Sequence, residues 1–365
     1  MRYLSLLLVF CLGIGCSNPA TTKKSESPEW ALLPFLKADD ANPVIKHDVH
    51  SVFICPVRNT PVHWEEKDVF NPAAIIRHDT LFLLYRAEDS IGRFAGTSRI
   101  GLAWSTDGLH FTKHITPVLY PGNDSAKKYE WEGGCEDPRI VEDENGTYYL
   151  NYTSYDGDKA RLMVASSTDL YHWKKYGPAF ANAGNGKYLN YWSKSGAVVA
   201  DFKTGTPVAK KIKGKYWMYW GDTDIFLASS DDLVNWTPVE KNNGELFPVF
   251  GPRKGKFDSD LVEPGPPAMF TDKGIVLIYN SRNVQGKGDT SLAEGTYAAS
   301  QILLDKKDPG KVVDRMKSYF LNPDKPYEIY GQVNQVCFVE GLVRYKGKWF
   351  LYYGTADSKI AVAVK

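Results

Sequence analysis

Cysteine is scarce in this sequence, with five in 365 residues, and only Cys55, Cys135 and Cys337 lie beyond residue 16. Three widely spaced cysteines cannot build a complete disulfide framework, and no Cys-x-x-Cys pair is present to bind zinc. We therefore expect at least one free, buried thiol. Cys135 stands beside an acidic pair, where we expect it to pack as a small apolar residue.

Histidine is also scarce, with seven residues and none in the second half of the chain. The sequence has no H-E-x-x-H, no G-x-S-x-G and no glycine-rich phosphate loop, so zinc hydrolysis, Ser-His-Asp catalysis and nucleotide chemistry lack support. His110 and His172 fall in a repeated turn and are interpreted as structural. Carboxylates are the remaining candidates for catalysis, and neither a metal nor another cofactor is required.

No charge sign is in excess, because 44 Lys and Arg face 43 Asp and Glu. A balanced, interspersed charge excludes a polyanionic partner such as nucleic acid. Long apolar runs are also lacking: the run at residues 6–10 follows a basic start and is too short to span a bilayer. With small residues before Cys16, residues 1–16 are interpreted as a bacterial lipoprotein signal peptide with a lipidated Cys16.

Residues 17–40 are then expected to be a tether, and residues 41–365 a single catalytic domain in the bacterial cell envelope, facing the periplasm or the outer surface. The lipid anchor would be the domain's only link to a membrane. A plain cleaved secretion signal is the alternative.

Aromatic residues are abundant, at 13% of the chain, and they recur in five short strands that each follow a turn. These strands cover residues 81–85, 148–152, 216–220, 275–279 and 349–353. Their last aromatics, Tyr85, Tyr152, Trp220, Tyr279 and Tyr353, are spaced by 67, 68, 59 and 74 residues. Another strand is predicted just before each turn, and Ser-x-Asp turns follow three of the strands.

Five units of about four strands, with almost no helical periodicity, predict an all-β fold, a five-bladed β-propeller. In such a fold the innermost strands start at one face. We therefore expect their first residues to ring one end of the channel: Asn71, Asp137, Ser195, Pro266 and Glu340. The strand at residues 360–364 is expected to close the ring beside N-terminal residues.

Carboxylates gathered at this mouth suit glycoside hydrolysis, in which one acid protonates the leaving oxygen and a second group acts on the far face of the sugar. An acid in this role needs a raised pKa, and Glu136 beside Asp137 is a candidate source of the negative charge that raises it. Trp131, Tyr191, Trp192 and Trp220 are suited either to stacking on sugar rings or to the core.

Four groups of residues resemble the ordered motifs of glycoside hydrolase family 130, the β-mannoside phosphorylases and β-mannosidases. These are Asn71-Pro72-Ala73 with Tyr85-Arg86-Ala87, Glu136-Asp137-Pro138-Arg139, Gly265-Pro266-Pro267, and Tyr352-Tyr353-Gly354-Thr355-Ala356-Asp357. The resemblance implies a five-bladed propeller, an inverting mechanism and Asp137 as general acid acting through a sugar hydroxyl. It also implies that Asn71, Arg86 and Asp357 hold the mannose.

The sequence departs from the phosphorylase pattern at two places. Trp220-Gly221-Asp222 stands where phosphorylases tend to carry His-Arg, and Glu263 precedes the Gly-Pro-Pro motif. Carboxylates at a phosphate site would repel the dianion by several kcal/mol at low effective dielectric. A water activated by Glu263 or Asp222 is the expected replacement, as in the family's exported β-1,2-mannosidases.

The sequence thus predicts an exported, inverting, exo-acting β-mannosidase that takes manno-oligosaccharides. Its catalytic residues are Asp137 with Glu263 or Asp222. The expected substrate-binding residues are Asn71, Arg86, Glu136, Arg139, Lys194, Glu340 and Asp357. A mannoside phosphorylase, with Lys194 and Arg282 holding phosphate, and a non-catalytic glycan-binding propeller remain as alternatives.

Overall fold

A computed structural model describes residues 27–94, 96–284 and 286–365. The predicted signal peptide, Cys16 and residues 17–26 of the predicted tether lie outside these residues. Within them the fold is all-β, as predicted, with only two one-turn helices, α1 (Lys127–Glu130) and α2 (Pro326–Ile329), and a 3₁₀ turn at Ala183–Gly186. In the described ranges no helix combines the length and apolarity that a membrane span requires.

The strands follow one another as antiparallel meanders. Three short strands come first: β1 (Leu36–Lys37), β2 (Phe53–Cys55) and β3 (Thr60–Val62). The first meander is β4 (Asp68–Arg77), β5 (Thr80–Glu88), β6 (Ser98–Ser105) and β7 (Thr112–Lys113). The second is β8 (Gly134–Glu142), β9 (Tyr148–Tyr155), β10 (Ala160–Ser167) and β11 (Lys174–Pro178).

The later meanders have the same order with some strands split. The third is β12 (Ala197–Asp201), β13 (Val208–Ala209), β14 (Tyr216–Trp220), β15 (Ile225–Ser230), β16 (Trp236–Pro238) and β17 (Pro248–Phe250). The fourth is β18 (Leu261–Pro264), β19 (Ala268–Phe270), β20 (Ile275–Arg282), β21 (Tyr297–Leu304) and β22 (Val312–Arg315). The last is β23 (Cys337–Tyr345), β24 (Lys348–Thr355) and β25 (Lys359–Val364). The predicted aromatic strands are the second strands of these units.

The N-terminal strand β1 completes the last meander. It pairs antiparallel with β25, so the predicted pairing of the C-terminal strand with N-terminal residues is confirmed. The predicted tether ends too late at residue 40, because Phe35 is buried and Lys37 donates to Glu328 at 2.6 Å. Side-chain burial and ion pairing thus begin several residues before the predicted start of the domain.

A tyrosine, a carboxylate and a base recur together in four of the meanders. The tyrosine ends the aromatic stretch of the second strand, the carboxylate lies just before the first strand, and the base lies on the outermost strand. The sets are Tyr85, Glu65 and Lys113; Tyr152, Glu130 and Lys175; Tyr279, Asp258 and Arg315; and Tyr353, Glu328 and Lys37. Because Lys37 belongs to β1, this strand occupies the fourth place in the last meander.

Buried groups in these sets are satisfied by one another, as a low-dielectric interior requires. Tyr353, for example, donates to Glu328 at 2.8 Å, and the carboxylate is fully buried. The third meander is the exception: Trp220 takes the tyrosine's place and packs against Phe180 with ring centroids 4.7 Å apart. Trp220 has no exposed surface, so of the two roles considered for this residue the core position is confirmed and stacking on a sugar ring is excluded.

Residues with scarce side-chain types have structural roles. Cys55, Cys135 and Cys337 are all free and buried, which confirms the expectation of a free thiol. His110 and His172 contact Asp107 and Asp169, each at 2.7 Å, within the predicted Ser-x-Asp turns. Their interpretation as structural residues is confirmed.

Candidate active site

A polar cavity of about 150 Å³ lies where the first strands of the meanders meet. Every meander contributes to its walls, the second one through β8. The residues that line it are Asn71, Arg86, Asp137, Lys194, Glu263, Tyr297, Val333, Val336, Phe338 and Asp357. Six of the predicted site residues are thus brought to one cavity, where they can act on one ligand.

Backbone bulges direct the key side chains out of their strands. Asn71 and Asp137 have φ of 48° and 46°, and the pairing register shifts at both positions. Ser195, at the equivalent place before β12, has φ of 56°. A left-handed conformation costs a non-glycine residue about 1–2 kcal/mol, so the surrounding structure must hold it. Strain of this kind is common where a site is held ready for its ligand.

Arg86 is the central cation of the site and is engaged on every side. Its guanidinium donates to Glu88 at 2.6 Å, to Ser98 at 3.0 Å and to Asp137 at 3.3 Å. It also lies 3.3 Å from Glu136. Burial would lower the pKa of Arg86, but these carboxylates raise it well above its usual value, so the group stays charged.

Asp137 accepts a hydrogen bond from Asn71 at 2.9 Å and lies 3.9 Å from the Lys194 ammonium. Burial would raise its pKa, but Arg86, Lys194 and the Asn71 bond outweigh burial and hold the pKa at about 2. The negative charge of Glu136 therefore does not give Asp137 a raised pKa, contrary to the expectation. Burial instead raises the pKa of Glu136 itself.

Glu263 is the second carboxylate in the cavity and accepts a hydrogen bond from the Ser195 hydroxyl. Burial raises its pKa against the opposing charges of Lys194 and Arg139. The other predicted base, Asp222, is absent from the cavity lining; its Oδ2 accepts a hydrogen bond from the Trp192 indole at 2.7 Å. The structure therefore separates the two candidates by position.

Three predicted substrate-binding residues lie behind the cavity wall. Arg139 donates to the backbone oxygens of Pro264 and Gly265 at 2.7 and 2.9 Å and pairs with Glu340 at 3.0 Å. Both side chains are almost fully buried, and burial raises the pKa of Glu340 well above its usual range. Neither they nor Glu136 line the described cavity, and their contact with substrate stays a prediction. Arg139 instead joins the second meander to the fourth.

The sequence analysis missed several residues of the wall. Tyr297, Val333, Val336 and Phe338 come from long connections and from strand ends without a repeated motif. Gln332, in the connection after α2, donates to Glu88 at 3.2 Å and ties the last meander to the first. In the sequence this connection shows only as the longer interval, 74 residues, between Tyr279 and Tyr353. Its residues form no motif that indicates a function.

Asp357 has an unusual pKa for a carboxyl group. Burial raises it from 3.8 to about 7, against the attraction of Arg86 and with the repulsion of Asp137. The folded protein therefore binds this proton more tightly than the unfolded chain, so the stability falls as the pH rises from about 4 to about 7. The loss at higher pH is on the order of 4 kcal/mol for such a shift.

The Asp357→Asn variant removes this titration and should increase the free energy of unfolding at pH 8. At pH 5, where the wild-type group is mostly protonated in the folded state, the gain should be less than half as large. Urea unfolding at both pH values measures the difference, and Asp231→Asn, at a side chain 77% exposed, is the control. An equal effect of Asp357→Asn at both pH values would contradict the assignment.

Comparison with known proteins shows the enzyme family to which the chain belongs. A sequence profile of the β-1,4-mannooligosaccharide phosphorylases matches residues 37–365. A 1,2-β-oligomannan phosphorylase of Thermoanaerobacter sp. (strain X514) is 32% identical over 82% of this chain and 90% of its own length. A glycosyl hydrolase structure from Bacteroides ovatus is 47% identical, with a TM-score of 0.91, over 93% of this chain and 95% of its own.

Another solved structure has the same identity, TM-score and coverage, 47%, 0.91, and 93% and 95% of the two chains. It comes from work on family 130 glycoside hydrolases that target β-1,2 mannosidic linkages in Candida mannan. These matches span the strands that build the cavity and confirm the resemblance drawn from the motifs. The chain belongs to glycoside hydrolase family 130, an enzyme family that acts on mannosides.

Proposed function

We propose that this protein is an inverting, exo-acting β-mannosidase that cleaves β-1,2-linked manno-oligosaccharides with water. The observation that carries the proposal is the charge arrangement of the cavity. The Arg86 and Arg139 guanidinium groups are engaged by protein oxygens, and Lys194, the other cation of the described lining, lies 3.9 Å from the Asp137 carboxylate, so protein oxygens already compete with an anion for each of them. Glu263 adds a carboxylate to the same cavity, which opposes a phosphate dianion.

In the proposed reaction Glu263 accepts a proton from a water whose oxygen attacks C1 of the terminal mannose. The bond from C1 to the leaving oxygen breaks, and that oxygen receives a proton that comes from Asp137 through a sugar hydroxyl. The sum is one water added and an inverted C1. Since Arg86 and Lys194 hold the pKa of Asp137 at about 2, the bound sugar must take over contacts of these two cations and thereby raise that pKa.

The cavity size supports attack at a chain end. At about 150 Å³ the cavity is smaller than the roughly 300–1,000 Å³ of pockets that hold drug-sized ligands, which suits one terminal sugar ring better than a chain. Gln332 and the wall residues Val333 and Val336 come from one connection that bounds the cavity on the side of the last meander. The relatives that act on β-1,2 linkages support this linkage here.

Two broader expectations belong to the proposal. The repeated tyrosine sets and the common strand order support the interpretation of the meanders as blades of a five-bladed β-propeller. The basic start, the apolar run and Cys16 in the sequence support export and lipid anchoring in the cell envelope. Hydrolysis suits that location, because a sugar phosphate preserves bond energy only inside the cytoplasm.

Phosphorolysis is the second candidate, and it is favoured by the curated relatives, which include a 1,2-β-oligomannan phosphorylase at 32% identity. Hydrolysis releases the terminal sugar as mannose, whereas phosphorolysis releases it as mannose 1-phosphate. Purified protein should release mannose from β-1,2-mannobiose at the same rate with and without phosphate, and in H₂¹⁸O the label should enter the α-anomer formed first. Phosphate-dependent cleavage that yields mannose 1-phosphate would overturn the proposal in favour of a phosphorylase.

A further inference from the structure

An exposed tryptophan stands beside the cavity on a well-anchored segment. The side chain of Trp192 is 47% exposed, which is unusual for the largest apolar side chain. Lys194, two residues later, lines the cavity, so the two Cα atoms are at most about 7 Å apart. Trp192 itself is absent from the lining, so this exposed residue lies next to the described cavity and outside its wall.

The backbone around Trp192 is fixed on both sides. Ser193 N–H donates to Ala160 O at 3.1 Å, and its hydroxyl accepts from Leu162 N–H at 3.0 Å. Arg161 holds the start of the segment through Leu189 O and the Asn190 side chain, at 3.2 and 2.9 Å. A ring presented to solvent on such a rigid segment loses little conformational entropy when a ligand covers it.

The indole itself is oriented by Asp222. Trp192 Nε1 donates to Asp222 Oδ2 at 2.7 Å, and Gly221 N–H donates to Lys194 O at 3.0 Å, which joins the two segments. Asp222 also interacts electrostatically with Lys194 and Glu263, so the pair lies near the cavity. One oxygen of the Asp222 carboxylate therefore accepts from the indole, and this carboxylate does not line the cavity in which C1 would react.

We propose that Trp192 is the platform on which the leaving sugar of the substrate stacks, and that Asp222 is the positioning residue that holds this ring. The inference rests on the proposed function and assigns water activation to Glu263 alone. The ligand of the platform is a neutral pyranose, whose apolar C–H face covers an aromatic ring while its hydroxyls stay in water. A donor without a leaving sugar gains nothing from the platform.

Two donors separate the platform from the chemistry. β-1,2-Mannobiose has a leaving sugar, whereas β-mannosyl fluoride has none. Trp192→Ala and Asp222→Ala should raise KM for mannobiose by about tenfold to a hundredfold and leave fluoride hydrolysis within about twofold. Trp192→Phe keeps a flat ring and should lose less. Asp222→Asn keeps an oxygen that accepts from the indole and should keep the wild-type KM for mannobiose and, within about twofold, the wild-type turnover of both donors.

Asp224→Asn, with the same charge change two residues away, is the control. A loss of about a hundredfold or more in fluoride hydrolysis by Asp222→Asn would make Asp222 the base and overturn its positioning role. An unchanged KM for mannobiose in Trp192→Ala would overturn the platform. The effect of phosphate on wild-type turnover tests the proposed function separately. The predicted difference between mannobiose and the fluoride holds whether water or phosphate attacks C1. If the wild type turns over neither donor, calorimetry decides: Trp192→Ala must weaken binding of mannobiose but not of mannose.

Discussion

Replacement of Glu263 by Gln should lower kcat for both β-1,2-mannobiose and β-mannosyl fluoride by about a thousandfold, within the range of 10² to 10⁴ for general acid-base catalysis. The amide keeps the size of the side chain and accepts from Ser195, but it cannot remove a proton from water. Because burial raises the pKa of Glu263, a neutral side chain fits this position and the variant should fold.

Azide provides the stricter measurement of the same variant. It is a nucleophile that needs no deprotonation, so it should restore cleavage of β-mannosyl fluoride and give α-mannosyl azide with inverted C1. Asp260→Asn is the matched control, since that carboxylate lies three residues away and pairs with Arg282 at 3.0 Å outside the cavity. A Glu263→Gln enzyme with wild-type turnover would exclude Glu263 as the base.

Replacement of Asp137 by Asn should have a comparable effect on mannobiose but not on the fluoride. The sugar leaving group needs a proton, and its loss should reduce kcat about a thousandfold. Fluoride leaves as an anion without protonation, so this donor should retain most of its turnover. The contrast between donors, measured in parallel with Glu263→Gln, separates the acid from the base.

The Asp137→Asn variant keeps the bulge and an oxygen that accepts from Asn71, so a folding defect is not expected. Glu144→Gln, at an exposed carboxyl in the turn after the same strand, controls for the charge change. Equal losses on both donors would contradict the role of general acid and would leave Asp137 as a residue that orders Arg86 and Lys194.

The strand repeat could be predicted because the aromatic stretches and their turns are local signals. Neighbouring residues decide whether a short strand forms, and the period of about 67 residues needed no tertiary information. The same repeat brought Asn71 and Asp137 together correctly, since equivalent positions in equivalent strands share a face. Lys37 and β1 escaped prediction because two residues have no periodicity of their own.

The pKa shifts of the site residues and the burial of individual side chains could not be predicted, because both depend on contacts between segments that are distant in sequence. Asp137 and Glu136 are adjacent in sequence, yet Arg86 and Lys194, from other meanders, set the direction in which the pKa of Asp137 moves. Arg139 and Glu340 have the composition of a ligand-binding pair, but both are buried, and Arg139 also donates to the backbone oxygens of Pro264 and Gly265. Nothing in the local sequence distinguishes Trp220 from Trp192, yet packing buries Trp220 in the core and leaves Trp192 exposed next to the cavity.

The pairing of β1 with β25 has a consequence for the way the enzyme is made. The sheet that carries Asp357 needs residues 36–37 and 359–364 together, so it cannot form until residue 364 has left the ribosome. The cavity is therefore completed last, and a polypeptide that ends before residue 357 would hold Asp137 with Asn71 and Arg86 but without Asp357. We expect a fragment of this kind to be inert, because its sugar-binding cavity is incomplete.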